Sequence, residues 1–166
     1  MAAGGIRDRV RAQMRQEVKE AALRQLAEGG PGALSINAIA KELGVSGPAL
    51  YRYFTGREAL LTELILDAHA DLTAALTAAD GLPELAAAYR FWATSHPHRY
   101  RLLFGALRSD SLAEAARRTM AALGAAAVWS RLHGFASLEI EGTFQALGLD
   151  PEHVFAAEVE ALSSAR

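Results

Sequence analysis

Glycine and proline interrupt this sequence at short intervals, and the stretches between them have the composition of helices. The chain holds 36 alanines and 23 leucines, against 18 valines, isoleucines and threonines together. Alanine and leucine favour helices, whereas β-branched residues favour strands. A length of 166 residues suits one globular unit or two small ones. The composition therefore predicts an all-α fold.

Apolar residues recur at helical spacing within these stretches, so each is predicted to form one helix with a buried face. We expect about nine helices in all. Their approximate ranges are 10–28, 36–43, 46–54, 57–79, 84–95, 97–107, 112–123, 125–147 and 152–163. Gly134 and Gly142 interrupt the helix predicted at 125–147.

Composition also excludes several classes of protein. Cysteine is absent, which excludes a disulfide scaffold, a thiol nucleophile and thiolate metal sites. The longest stretches without Asp, Glu, Lys or Arg, Thr119 to Ser130 and Gly29 to Ala40, have 12 residues each, which is too short to span a bilayer. The N-terminus lacks an apolar signal core. We therefore expect a cytoplasmic protein without a membrane partner.

Charge is unevenly distributed, although the net charge is only −2. Residues 1–25 hold six basic and three acidic side chains, a net +3, and residues 71–166 hold eight basic and eleven acidic ones, a net −3. A basic head suits a polyanion, and a solvated helix face is the alternative. Arg7, Arg9 and Arg11 form either a basic arm that contacts DNA or a disordered tail.

Residues 34–64 have the pattern of a helix-turn-helix. Ser35 can cap the first short helix, and Gly44 permits the tight turn that ends it. Ser46 can cap the second, the reading helix, with Pro48 in its first turn. In this motif the second helix enters the major groove of DNA. The sequence thus predicts a DNA-binding head.

The same segment resembles the DNA-binding domain of the TetR family of bacterial transcriptional regulators, over about residues 10–66. Two positions depart from the family pattern: Tyr53 stands where the family often has His, and Arg57 where it often has Lys. The matching residues are Ile39-Ala40, Leu43-Gly44-Val45-Ser46, Ala49-Leu50-Tyr51, Phe54 and Arg57-Glu58-Ala59-Leu60-Leu61.

Within this head, Arg52 is the leading candidate for a base or phosphate contact, because it is the only basic residue between Lys41 and Arg57. Tyr51 either donates its hydroxyl to a phosphate or belongs to the core, and Phe54 is expected in the core. The predicted DNA-binding residues are Ser35, Lys41, Ser46, Gly47, Pro48, Ala49, Tyr51, Arg52, Tyr53 and Arg57.

The remaining helices resemble the Trp-His-Gly type of C-terminal domain found in some TetR-like regulators. The matching residues are Tyr89-Arg90-Phe91, His96-Pro97, Tyr100 to Phe104, and Trp129 with His133-Gly134. The resemblance implies a pocket for a small apolar or amphipathic effector and a homodimer formed through the last two helices. The predicted pocket residues are Tyr89, Trp92, Phe104, Trp129 and His133. An ordinary aromatic core, with His133 as a structural residue, is the alternative.

Neither a metal site nor a catalytic site is predicted, and no cofactor is expected. His96 and His98 lie two positions apart, so on a helix they point in different directions. We expect a DNA-binding domain at 1–56 and a ligand-binding and dimerisation domain at 57–166. The predicted function is a ligand-responsive repressor that binds a palindromic operator as a homodimer. The alternatives are a helical protein-interaction module and an enzyme that uses the head as an adapter.

Overall fold

The computed structural model describes residues 2–105 and 109–164, with side chains from residue 5 onward. This part of the chain is all-α, as predicted, with ten α-helices, one 3-10 turn and no strand. The helices are α1 (Ala2–Gly29), α2 (Ile36–Glu42), α3 (Gly47–Leu50), α4 (Arg57–Thr77), α5 (Leu82–Ser95), α6 (Pro97–Leu103), α7 (Asp110–Leu123), α8 (Ala126–Ile140), α9 (Thr143–Ala146) and α10 (Pro151–Ser164).

The chain divides into two compact units, residues 1–65 and 66–166. The helix α4 begins in the first unit and ends in the second, without a glycine or proline inside it. The predicted domain boundary at 56/57 coincides with the start of α4, and as a functional boundary it stays a prediction.

The first unit packs the second half of α1 against α2, α3 and the start of α4. Buried apolar side chains from all four helices form its core: Val18, Ala21, Ala22, Leu26, Ile36, Ile39, Ala40, Leu50, Leu60, Leu61 and Leu64. Burial of each Val, Leu or Ile side chain in this list stabilises the fold by about 1.5–3 kcal/mol before entropy is counted. The core therefore fixes the helices that carry the predicted DNA-binding residues.

A tight turn sets the direction of α3 relative to α2. Gly44 has φ of +67°, a left-handed conformation that favours glycine. The amide of Val45 donates to the carbonyl of Ala40 at 2.9 Å, and that of Gly44 to Lys41 at 3.3 Å. This pair of bonds is a Schellman ending, which satisfies the last carbonyls of α2.

Four predicted helices differ from the structure by more than two residues, and in three of them the difference lies at a helix end. The helix α1 begins at Ala2, eight residues before its predicted start, so residues 2–9 are helical and not a disordered tail. Regular α-helix in the reading segment, residues 46–54, covers only Gly47–Leu50. Its next residues form a tighter turn, in which Arg52 and Tyr53 donate to carbonyls three positions back. The helix predicted to 107 ends at Leu103, and residues 106–108 lie outside the described residues.

The predicted helix at 125–147 is two helices in the structure, which explains why ten form and not about nine. Gly142 adopts a left-handed conformation with φ of +73°, and this residue separates α8 from α9. A left-handed residue cannot continue a right-handed helix. The glycine was visible in the sequence, but its conformation was not.

The second unit packs α5 against α8 and α10, with α7 on α8. Its core consists of apolar and aromatic side chains: Ala68, Leu72, Leu76, Leu82, Ala86, Tyr89, Trp92, Ala93, Tyr100, Leu123, Val128, Leu132, Ala136 and Leu162. Small residues at Ala86, Ala93 and Ala136 allow the helix backbones to approach closely. Of the residues predicted to bind the effector, this core holds Tyr89 and Trp92, and Trp129 packs against it.

One guanidinium group joins three helices of this unit. Arg90 of α5 donates to Glu139 of α8 at 2.6 and 2.8 Å and to Glu152 of α10 at 2.7 and 2.9 Å. It also lies 4.7 Å from the ring centre of Phe155. The hydrogen bonds that Arg90 donates to Glu139 and Glu152 raise the pKa of Arg90. These four hydrogen bonds use the several N–H donors of the planar guanidinium group, an arrangement that only arginine provides.

A buried polar cluster joins α4 to α7 within the second unit. Nδ1 of His69 lies 3.0 Å from the hydroxyl of Thr119, which is 2.9 Å from the hydroxyl of Thr73. The Thr119 hydroxyl also donates to the carbonyl of Ala115 at 3.2 Å. Burial lowers the pKa of His69 from its ordinary 6.5, so the imidazole is neutral at pH 7.

Acid should therefore destabilise the second unit. The unfolded chain protonates His69 near pH 6.5, but the folded protein resists protonation, so stability present above pH 6.5 is lost as the pH falls below it. The loss attributable to one histidine is at most about 1.4 kcal/mol per pH unit. Urea unfolding followed between pH 7.5 and 5.5 measures it.

The variant His69→Gln should show a shallower dependence of unfolding free energy on pH than the native chain. His153, exposed on α10, supplies the control variant His153→Gln, which should keep the native slope. If His69→Gln and the native chain lose the same free energy over this interval, the assigned role of His69 is wrong.

Candidate nucleic-acid interface and ligand site

The reading segment has one buried side and one open side. Leu50 and Phe54 are buried in the first unit. Ser46, Pro48, Tyr51 and Arg52 are exposed, and Tyr51 exposes 49% of its surface. Such an exposed aromatic side chain on a short helix is not a core residue. The structure therefore places Phe54 in the core, as expected, and Tyr51 at the surface.

Two of the predicted cations in this unit remain open to an external anion. Lys41 and Arg52 are exposed and make no hydrogen bond or ion pair within the described residues. Arg57 is exposed too, but it donates to the carbonyl of Pro31 at 2.5 Å. Arg57 thus holds the glycine-rich turn before α2, and an anion would have to compete with that carbonyl.

Both predicted serine caps form. The hydroxyl of Ser35 accepts from the amide of Ala38, and that of Ser46 accepts from the amide of Ala49, each at 3.3 Å. Such caps stabilise a helix start by about 1 kcal/mol. A side chain at Gly47 would lie 3.4 Å from Oδ1 of Asn37, so α2 and α3 approach closely there. Ala49 and Tyr53, the remaining predicted contacts, are half-buried.

Arg15 anchors the end of the reading segment, and the sequence analysis did not single it out. Its guanidinium donates to the carbonyl of Tyr53 at 2.5 Å, forms an ion pair with Glu63, and lies 4.4 Å from the ring centre of Phe54. Its spacing from Val18 and Ala22, three and seven positions on, would have indicated a residue facing the core. Arg15 thus fixes where Tyr51 and Arg52 point.

Four aromatic rings of the second unit form one continuous stack. The ring centres of Trp129 and His133 lie 5.3 Å apart and nearly parallel, and Phe104 lies 4.1 Å from His133. Tyr100 lies 4.9 Å from Phe104 and 5.6 Å from His133. Three of the predicted pocket residues are therefore brought together. Tyr100, named only in the resemblance, is the fourth member, at four-residue spacing from Phe104.

The stack carries polar groups but no charge. The hydroxyl of Tyr100 lies 2.6 Å from Nδ1 of His133 and donates to its carbonyl at 3.1 Å, with the hydroxyl of Ser137 at 3.3 Å. Burial raises the pKa of Tyr100 and lowers the pKa of His133. Both side chains are therefore neutral at pH 7.

The other two predicted pocket residues occupy different positions. Tyr89 is buried, and its ring meets Tyr100 edge-on at 6.2 Å. Its hydroxyl makes no hydrogen bond within the described residues, and burial raises its pKa. Trp92 is buried in the same core, but its ring partner is His96, at 5.4 Å. Tyr89 thus contacts the aromatic stack through Tyr100, whereas the ring contact of Trp92 is with His96, which is not part of the stack.

Within residues 2–105 and 109–164, no group of three or more His, Cys, Asp or Glu side chains could hold a metal ion. In the same residues, no helix combines the length and apolar character needed to cross a membrane.

Two family models match the chain. Residues 19–64 match the model described as bacterial regulatory proteins, tetR family. Residues 82–128 and 123–162 match the model described as the Tetracyclin repressor-like, C-terminal domain. The finer resemblance to the Trp-His-Gly type stays a prediction.

Curated relatives carry the names of transcriptional regulators and not of enzymes. The HTH-type transcriptional regulator Rv1816 of Mycobacterium tuberculosis is 38% identical over 111 residues, which are 61% of this chain and 47% of that protein. The chain thus spans about half the length of the first relatives it matches. The uncharacterized HTH-type transcriptional regulator Rv0681 of the same species is 30% identical over 164 residues, 82% of this chain and 74% of that protein.

The fold also matches a solved structure over almost its whole length. The crystal structure of the protein SCO4313 superposes with a TM-score of 0.87 at 40% sequence identity, covering 93% of this chain and 97% of that chain. The two family models, the relative Rv0681 and this structure cover the head and the remaining helices alike. The chain belongs to the TetR family of bacterial regulatory proteins.

Proposed function

We propose that this protein is a sequence-specific DNA-binding transcriptional regulator, a repressor that acts in the bacterial cytoplasm. The observation that carries the proposal is the open side of the reading segment. Arg52 and Lys41 are exposed cations without a partner in the described chain, on the outer side of a helix-turn-helix. Exposed cations of this kind are suited to phosphate oxygens and base edges.

In this proposal Arg52 contacts a base edge or a phosphate, and Lys41 contacts a phosphate. Tyr51 donates its hydroxyl to the DNA backbone. Gly47, Pro48 and Ala49 lack long polar side chains, so they suit the methyl groups of thymine and a readout of DNA shape. Ser35, Ser46, Tyr53 and Arg57 complete the contact surface.

Removing the two leading contacts should weaken operator binding without unfolding the head. After bound sequences are selected from random duplexes, Arg52→Ala should lower affinity for them by about 5–150-fold, as expected for 1–3 kcal/mol. Tyr51→Phe should lower it by about 2–10-fold, the value of one hydroxyl hydrogen bond. Fluorescence anisotropy measures both.

Arg101, exposed on α6 without a described partner, supplies the matched control. Arg101→Ala also removes one positive charge and should leave operator affinity within about twofold. Native affinity for both Arg52→Ala and Tyr51→Phe would show that the DNA-binding residues are wrongly assigned.

We further propose a homodimer formed through α8 and α10, because two reading segments can then meet successive major grooves of a palindrome. Small and apolar side chains on the outer faces of these helices support it. Leu138 of α8 is 42% exposed, and Ala127 and Ala157 are also exposed. Such a surface is suited to close packing against its own copy.

A charge placed on this surface should separate the protomers. Ala157→Glu would bring two like charges together near the two-fold axis, so it should shift the protein from dimer to monomer in sedimentation velocity. Operator affinity should fall with it. Ala113→Glu, at an exposed site on α7, should remain a dimer. Native chain that sediments only as a monomer would contradict the dimer.

The aromatic stack is the proposed effector site. Its rings offer flat apolar surface, and Tyr100 and His133 are neutral. The Tyr89 hydroxyl makes no hydrogen bond to any residue that the structure describes. An uncharged amphipathic molecule with a planar apolar part and a hydrogen-bonding group suits this chemistry. A buried charged group would lack a counterion among these residues and would bind poorly.

Coupling to DNA is proposed to pass through α4, which runs from Arg57 to Thr77 without a break. An effector that favours a different position of this helix would lower operator affinity. A coupling free energy of about 1–3 kcal/mol corresponds to about 5–150-fold.

Neutral aromatic amides and ketones form a suitable test panel. Binding should quench the fluorescence of Trp129, with Trp129→Phe as the check on its origin, and should weaken operator binding by about 5–150-fold. Tyr89→Phe should weaken compound binding while the circular dichroism of the protein is kept. Compounds that bind with native affinity to Tyr89→Phe, or that leave operator affinity unchanged, would contradict this effector site.

A further inference from the structure

The helix α1 carries a basic ridge that continues past the core of the first unit. Arg7, Arg11, Arg15 and Lys19 are spaced four residues apart, so they line one side of the helix. This side turns toward the core farther along α1, where Val18 and Ala22 are buried. The ridge is therefore continuous with the face of α1 that packs on the other helices.

The half of the ridge that lies over the core has anionic partners within the protein. Arg15 and Lys19 both form ion pairs with Glu63, the latter at 3.2 Å. Arg15 also donates to the carbonyl of Tyr53, at the end of the reading segment. In this half of α1, each ridge cation meets negative charge or a carbonyl oxygen.

The N-terminal half of the ridge, Arg7 and Arg11, has no anionic partner within the described residues. Residues 5–13 are all exposed, and Arg7 and Arg11 make no hydrogen bond or ion pair within the described residues. Asp8 lies beside them on the helix but forms no ion pair with either. Where the core ends, the inward side of α1 thus changes from apolar to cationic.

The acidic residues of α1 do not supply the missing charge. Glu17 and Glu20 accept hydrogen bonds from Gln13 and Gln16, which lie on another side of the helix. Arg9 also lies off the ridge and donates to the carbonyl of Gly5 at 3.1 Å. Among the side chains of α1 that the structure describes, from residue 5 onward, only Arg7 and Arg11 therefore present unpaired charge along the line of Arg15.

We propose that Arg7 and Arg11 bind phosphates of the DNA backbone, so that the projecting half of α1 is a second nucleic-acid contact beside the reading segment. The inference rests on the proposed DNA-binding function. Charge complementarity identifies the DNA backbone as the partner of these side chains. From Arg15, which donates to the carbonyl of Tyr53, the ridge continues to the exposed guanidinium groups of Arg11 and Arg7. Guanidinium groups pair well with phosphate oxygens.

The geometry sets how far this contact extends. At 1.5 Å per residue, Arg11 lies about 6 Å and Arg7 about 12 Å along the helix axis from Arg15. The two side chains can therefore contact backbone beyond the phosphates that Arg52 and Lys41 reach. Because phosphates carry no sequence information, this contact adds affinity to all duplexes alike.

Salt dependence provides the test, since each phosphate contact adds about 0.9 to the slope of log affinity against log salt. The native chain and Arg7→Gln/Arg11→Gln are compared by anisotropy on one fluorescein-labelled duplex of mixed sequence across a potassium chloride series. The double variant should reduce the slope by about 2 per bound protomer and weaken binding tens-fold near 0.1 M salt. Circular dichroism checks that α1 remains helical.

Two controls separate this contact from a general charge effect. Arg117→Gln/Arg118→Gln on α7 removes the same charge from side chains that are 68% and 70% exposed, and should keep the native slope. Arg7→Lys/Arg11→Lys keeps the charge and should keep most of the slope. A slope unchanged in Arg7→Gln/Arg11→Gln, or lost equally in the lysine variant, overturns the inference.

The two proposals fail in different ways. If the native chain binds no duplex even at low salt, the proposed DNA-binding function falls and this inference falls with it. If the native chain binds and both glutamine double variants match it, the function stands and only the contact by α1 is wrong. Association of two copies of α1 through the exposed side chains of Ile6 and Val10 would appear in sedimentation as a species larger than the proposed dimer, and it would also count against the contact.

Discussion

The turn between α2 and α3 is the constraint on which the proposed DNA interface depends. Gly44 in its left-handed conformation, with Val45 bonded back to Ala40, fixes the direction in which the reading segment leaves α2. A Cβ at Gly44 would strain this backbone. Once the direction is set, Leu50 and Phe54 fall into the core, and Tyr51 and Arg52 are left at the surface. The buried side chains thus determine which side chains are free for DNA.

Most of the fold could be predicted from the sequence because glycine, proline and serine mark the helix ends. Ser35 and Ser46 cap α2 and α3 as predicted, and both caps are local effects. The predicted helix boundaries were wrong where they depend on the backbone conformation of one residue or on weak apolar periodicity. Gly142 turns left-handed and splits a helix, and α1 extends over a stretch whose apolar periodicity is weak.

The candidate sites were less predictable than the helices. Arg52 could be chosen because it is the only charged residue in the reading segment, and Lys41 because it lies just before that segment. Arg15, in contrast, acts through Tyr53 and Glu63, 38 and 48 positions away. In the second unit, the sequence indicated aromatic residues but not which ones meet. Tyr100 joined the stack through His133, and Trp92 paired with His96. At each site, one contact between residues far apart in sequence was missed: Arg15 with Tyr53 in the head, and Tyr100 with His133 in the second unit.

The shared guanidinium of Arg90 has a consequence for how this unit can change during evolution. Glu139 and Glu152 lie on different helices, yet both depend on one side chain of α5. Lysine could not replace it, because a single ammonium lacks the planar fork that serves two carboxylates. Loss of either glutamate would leave the arginine partly unsatisfied. Substitutions at these three positions should therefore occur together during evolution. A chimera that takes α10 from a relative would need a residue at position 90 that pairs with the residue at position 152.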